Sequence, residues 1–380
     1  MGGTACTADL PIGVGALKKI LVGVLAVPLM SGCALFNKKP DMVRVVDRVE
    51  TGFTDEGLAV SPKRVRAWVE DIERDVAAAT LITRVEEGQS INKITIDPIG
   101  SKVVFSLIEE QQAQNQTQSG FSGSVGKYSA TLRGVPTNGG GISQLTTGRW
   151  LDMYPEYGPS GHITFASNRT RPDGIDIFRI DASRAGGVSM IRQTVDGYHY
   201  HPTVHPSGKM VFTFLPDYRR RGLSLTKTQP QLWSLGGGNP YPTQLREGSN
   251  PSLSPDGEKI VFTGVNGQLW TISTDGRDPV QLTSSAIPKD KLTGQLMKKK
   301  DATWSPDGEY IIFAAADGKD SENFSNYDIW MVSKEGRGLR QLTTNGSLDA
   351  LPVVSHDQAS IYFVSNRGFV EGIWKIPFPF

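Results

Sequence analysis

The sequence predicts an all-β protein: a closed ring of six four-stranded blades, preceded by one short amphipathic helix. Three observations carry that expectation. One tight turn recurs six times at nearly constant spacing. Strand-like runs flank every copy. Fourth strands fall one short at the end of the chain, and a matching segment stands before the first copy.

The turn reads Asp97-Pro98-Ile99-Gly100, Gly158-Pro159-Ser160-Gly161, His205-Pro206-Ser207-Gly208, Ser254-Pro255-Asp256-Gly257, Ser305-Pro306-Asp307-Gly308 and Ser355-His356-Asp357-Gln358. Its second positions lie 61, 47, 49, 51 and 50 residues apart. Proline presets φ for such a turn, and glycine accepts the positive φ that ends it.

Two residues before each second position stands an apolar residue: Ile96, Tyr157, Val204, Leu253, Trp304 or Val354. After the turn come β-branched and aromatic runs ending in Phe105, Phe165, Phe212, Phe262, Phe313 and Phe363. Such runs are strands. A third strand centres on Phe178, Trp233, Trp270, Trp330 and Trp374, with Ala130 expected in that place in the first copy. A fourth is announced by Gln-Leu-Thr or a relative, as in Gln281-Leu282-Thr283 and Gln341-Leu342-Thr343. A unit of four short strands cannot bury both faces alone, so the copies stack radially into a propeller. The sixth copy lacks its fourth strand, and Leu81-Ile82-Thr83 has the form to supply it. This closure of three C-terminal strands plus one N-terminal strand leaves no open edge.

The pattern Pro-x-Trp-Ser-Pro-Asp-Gly-x-x-Ile-x-Phe, best seen in Pro251 to Phe262 and Ala302 to Phe313, resembles the TolB-type repeat, a WD40-like family. Ser167-Asn168-Arg169 and Ser365-Asn366-Arg367 match the triplet that often ends its second strand. The resemblance covers about 79–380 and implies a fold rather than an activity. TolB itself carries an α/β domain before its propeller and is a soluble periplasmic protein. The expectation here is TolB-like without being TolB, with a tether and a helix in that place.

The N-terminus reads as an address. Lys18 and Lys19 precede the apolar run Ile20 to Met30, and Leu29-Met30-Ser31-Gly32-Cys33 resembles a bacterial lipobox. That reading makes 1–32 a lipoprotein signal peptide and Cys33 the lipidated residue. Ala34, with no Asp there, resembles an outer-membrane sorting signal. Residues 33–60 read as a tether; a flexible chain of this length spans roughly 30 Å. Ser61-Pro62 starts a helix over 61–78, with Val65, Trp68, Val69, Ile72 and Val76 on one face. The domain boundaries expected are therefore 1–32, 33–60, 61–78 and 79–380.

Composition narrows the function. Forty Lys and Arg balance 39 Asp and Glu, which gives no footprint for nucleic acid. Two cysteines, Cys6 and Cys33, leave no disulfide framework and no zinc pattern. No cofactor is expected.

The long connections 109–126, 215–230, 284–300 and 315–326 all fall between second and third strands or between blades, hence on one face. Elaborated loops carry binding. Beside them, seven and five positions before the second turn residue, come Asp152 and Tyr154, His199 and His201, Lys299 and Asp301, and Asp349 and Leu351, with Asn250 in blade four. The partner-binding residues expected at the channel mouth are Asp152, Tyr154, His199, His201, Asn250, Asp301 and Asp349. The function expected is a lipid-anchored scaffold of the bacterial cell envelope, facing the periplasm and binding an envelope protein or peptidoglycan-associated partner, not an enzyme. No catalytic or metal residue is assigned. The alternative is a metal-assisted carbohydrate-active enzyme, similar to oligouronide lyases. It would use the His and Asp residues of the same ring, with His199 and His201 sharing a strand face.

Overall fold

The computed structural model describes residues 79–380 except 111–127, 159, 171–173, 182–187, 193–196, 217–228, 284–298, 317–326, 345–346, 368–370 and 380. The signal peptide, Cys33, the tether and the helix expected over 61–78 lie outside the described residues. Among the described residues there is no α-helix.

The strands form six four-stranded sheets, each antiparallel throughout. Five sheets take their strands in chain order. The sixth joins strands 349–354, 360–365 and 372–377 to strand 80–84 from the front of the chain. Leu81 pairs with Trp374 and Thr83 with Ile373, so the expected closure is present. The first strands of successive blades touch one another in a closed round: 90–96, 153–157, 197–204, 249–253, 299–304, 349–354 and back to 90–96. These are the innermost strands, and they surround the axis.

The recurring turn is held by its own side chains. Ser254 Oγ donates to Asp256 Oδ1 at 2.5 Å, and the same carboxylate accepts the Glu258 N–H at 3.0 Å. The Lys259 N–H in turn donates to Ser254 Oγ at 2.9 Å. Ser305-Asp307-Tyr310 and Ser355-Asp357-Ser360 repeat this arrangement. These hydrogen bonds favour the charged form and hold Asp256 and Asp357 below the usual carboxylate range. In the sixth copy Gln358 adopts φ +57°, as the glycines of the other turns do, and donates to Asp307 Oδ2 of blade five at 2.7 Å.

The core repeats with the same period. Phe105, Phe165, Phe212, Phe262, Phe313 and Phe363 are fully buried. Five face an aromatic ring on the third strand: Phe178, Trp233, Trp270, Trp330 and Trp374. The first blade corrects an expectation. Phe105 faces Arg133, and Ala130 sits three residues earlier, opposite Ile108. The slot expected to hold Ala130 holds an arginine whose guanidinium meets Glu109 at 3.3 Å.

The Gln-Leu-Thr segments have a physical cause. Their leucine N–H donates to the third strand, as Leu342 does to the Ile329 carbonyl at 2.7 Å. Their threonine then accepts from that strand: Ile329 N–H to Thr343 Oγ1 at 2.9 Å, Leu132 N–H to Thr146 Oγ1 at 2.9 Å. A two-residue outer strand thereby satisfies a buried N–H that its own ladder is too short to reach.

Candidate functional site

Every innermost strand carries a bulge at the same place. Register shifts fall at Ile91/Ile94, Met153/Glu156, Tyr200/Thr203, Ser249/Ser252, Lys300/Thr303 and Ala350/Val353. Four bulges contain a proline (Pro155, Pro202, Pro251 and Pro352). Proline has no N–H for the ladder and belongs where the ladder breaks.

At five of the bulges a non-glycine residue stands in the left-handed region. These are Tyr154 (φ 55°), His201 (49°), Asn250 (57°), Asp301 (55°) and Leu351 (54°). Such backbone costs roughly 1 kcal/mol or more per residue and gathers at functional sites. Lys93 holds the equivalent place in blade one. The six form one ring. The rings of Tyr154 and His201 lie 4.0 Å apart, and Asn250 Nδ2 donates to Asp301 Oδ1 at 2.8 Å. Lys93, in blade one, is near enough to act on His201, in blade three. The ring side chains therefore converge on the axis.

Four of the expected mouth residues are brought together: Tyr154, His201, Asn250 and Asp301. The other three are placed elsewhere. Asp152, 1% exposed, receives Arg169 Nη2 at 2.8 Å on both oxygens and Ser167 Oγ at 2.6 Å. Asp349, fully buried, receives Arg367 Nη2 at 2.6 Å. The Ser-Asn-Arg triplet supplies each partner, and its asparagine accepts the N–H of Leu151 or Leu348 at 2.8 Å. Each arginine also lies over the aromatic pair of its blade: Arg367 is 5.0 Å from Phe363 and 5.4 Å from Trp374. These two aspartates hold strands together inside the blade and do not face the axis.

His199 and His201 do not share a face. His199 packs against Phe212 at 5.0 Å and Phe214 at 5.2 Å, inside blade three. His201 packs against Tyr154 and Tyr200. The bulge between Tyr200 and Thr203 breaks the two-residue alternation on which the expectation rested. His205 sits in the tight turn, bonded to Ser207 and to the Pro255 carbonyl of blade four. Among the described residues no three His, Cys, Asp or Glu side chains gather as metal ligands do.

The electrostatics of the ring follow from burial. His201 is pushed well below the usual imidazole range by desolvation, helped by the charge of Lys93. It is neutral at pH 7. Beside the ring, Lys299 is 1% exposed and donates to Gln268 Oε1 at 2.5 Å; burial lowers its ammonium to about 8. Lys93 pairs with Glu156 at 3.2 Å. Lys93 and Glu156 were missed from sequence, although Lys93 stands five positions before Pro98 as Tyr154 stands before Pro159.

No protein-family model matches the chain. Over 235 residues it is 26% identical to the Tol-Pal system protein TolB of Anaeromyxobacter dehalogenans, covering 57% of this chain and 48% of that protein. It thus spans about half the length of that relative. A solved gluconolactonase from Xanthomonas campestris aligns with a TM-score of 0.52 at 12% identity, over 80% of this chain and 96% of the other. A solved oligogalacturonate lyase in complex with manganese aligns with a TM-score of 0.50 at 14% identity, over 80% and 95%. Both structural likenesses speak to the fold alone. Repeat, strand order and the TolB relatives make this chain a TolB-like six-bladed β-propeller.

Proposed function

We propose that the chain is a protein-binding propeller of the bacterial cell envelope, held at a membrane by a lipid on Cys33 and facing the periplasm. The binding surface is the ring of Tyr154, His201, Asn250 and Asp301, with the loop connections that leave the blades at the same end. One observation carries this reading: five non-glycine residues hold left-handed backbone at one register, and neighbours among them touch across blade boundaries. A scaffold that only needed to close would place glycine there. Likeness to a Tol-Pal system protein supports an envelope protein or peptidoglycan-associated partner. The Leu29 to Cys33 lipobox and Ala34 support an outer-membrane anchor. Rigid presentation of the ring is the mechanism, with no chemical step.

Site-directed photo-crosslinking in the native host tests it. A probe at position 154 should give one discrete protein adduct, and a probe at 276, in a turn at the other end of the blades, should give none. Adducts of equal yield from both positions, or from neither in folded protein, would overturn the reading.

A further inference from the structure

Two members of the ring carry buried polar atoms that find no hydrogen-bond partner among the described residues: His201 Nδ1 and Asp301 Oδ2. They belong to blades three and five and flank Asn250 of blade four, whose amide donates to the other Asp301 oxygen. Asp301 Oδ2 can only accept a hydrogen bond. His201 is 7% exposed and neutral, so one of its ring nitrogens offers a lone pair. Two lysines stand close by. Lys300 Nζ forms an ion pair with Asp301 Oδ2 at 3.7 Å, longer than a hydrogen bond, and lies 4.5 Å over the ring of Tyr327. Lys93 is drawn to Glu156. Tyr154 and Leu351 at the same register are 6% and 9% exposed and pack into apolar clusters of the core.

We propose that the ring receives one protonated nitrogen group, a guanidinium or an ammonium, at the tip of its partner. The inference rests on the ring being a binding surface. In the tautomer that carries its proton on Nε2, His201 accepts an incoming N–H at Nδ1, and Asp301 accepts another at Oδ2; neither atom has a hydrogen-bond partner among the described residues. The aliphatic stem lies against Leu351, and the cation faces the ring of Tyr154. A neutral His201 accepts such a group where an imidazolium would repel it. A charge-assisted hydrogen bond of this kind is roughly twice as strong as a neutral one.

The cation has two sources, a Lys or Arg side chain and a chain N-terminus. N-acetyl-arginine amide and glycylglycine amide represent them. Each is titrated into the folded propeller, and the His201 imidazole is followed by NMR. Saturable perturbation of His201 by either probe is expected, and the stronger binder names the source. Asp301→Asn should weaken it by about tenfold or more, as loss of a hydrogen bond to a charged group does. Lys300→Met, which removes the ion pair that competes for Asp301 Oδ2, should tighten it, which keeps the test open if Asp301→Asn fails to fold. No saturable response to either probe, equal binding by Asp301→Asn, or saturation by acetate or Mn²⁺ instead would overturn the proposal. A position-154 adduct that persists in Asp301→Asn would leave the binding surface standing and sink the cation alone.

Discussion

The guanidinium of Arg367 and the carboxylate of Asp349 meet at 2.6 Å with 1% and 0% of their side chains exposed. Arg169 and Asp152 repeat the pair in blade two with the arginine 17% exposed. Blades two and six thus share one device, an arginine sandwiched between an aromatic pair and an aspartate at the start of the innermost strand or just before it.

Breaking that pair should cost stability and leave the ring alone. Asp349→Ala strands a buried guanidinium, a loss of about 3–5 kcal/mol. Asp152→Ala should cost less, because water reaches Arg169. Urea unfolding of the two variants measures both. An Asp349→Ala midpoint equal to that of the parent would remove the device from the account of stability.

The closure seam holds a buried carboxyl group. Glu371 accepts the Ile91 N–H of blade one through its carboxylate, and its backbone carbonyl accepts the Val85 N–H at 3.0 Å. Burial pushes its carboxyl up to about 8. The folded form holds the proton more tightly than the unfolded chain. The stability this adds is therefore full below about pH 4.5 and is lost as pH rises through 8. Glu371→Gln removes the titration and keeps the acceptor. Thermal midpoints from pH 5 to 9 should show the variant gaining on the parent up to about pH 8 and the difference levelling off above it, and parallel curves would contradict the assignment.

Thr343 is 1% exposed and accepts the buried Ile329 N–H at 2.9 Å. Thr343→Val keeps the shape and removes the acceptor, which should cost about 1–3 kcal/mol. Thr283→Val should cost less, since Leu269 N–H reaches Thr283 at 3.3 Å. Equal losses at both positions would mean that packing, rather than the hydrogen bond, fixes the motif.

Much of this was legible in the sequence, because a propeller repeats its physics every 50 or so residues. The turns, the buried phenylalanines and the strand contributed by Leu81 to Thr83 all follow from period and count. The ring was half legible. The count of five residues before the turn found Tyr154, His201, Asn250 and Asp301. The count of seven led to Asp152, His199 and Asp349, which point into the blades. A bulge separates the two counts, and strand alternation carries no sign of a bulge. Ala130 was misplaced because the first blade lacks the third-strand aromatic that fixes register elsewhere. Arg133, opposite Phe105, has no local signal that marks it as the replacement.

The bulge itself can be tested at Asn250. At φ +57°, a residue with a Cβ is strained unless its side chain compensates. Asn250→Ala and Asn250→Gly both lose the bond to Asp301. They differ only in what the backbone tolerates, so the glycine variant should be more stable by about 1 kcal/mol. Partner capture, in contrast, should fall equally in the two, because both leave Asp301 without its 2.8 Å donor. Equal stability would mean that the strand is not left-handed here. Unequal capture with the expected stability difference would mean that rigidity of the ring, and not only its polar groups, holds the partner.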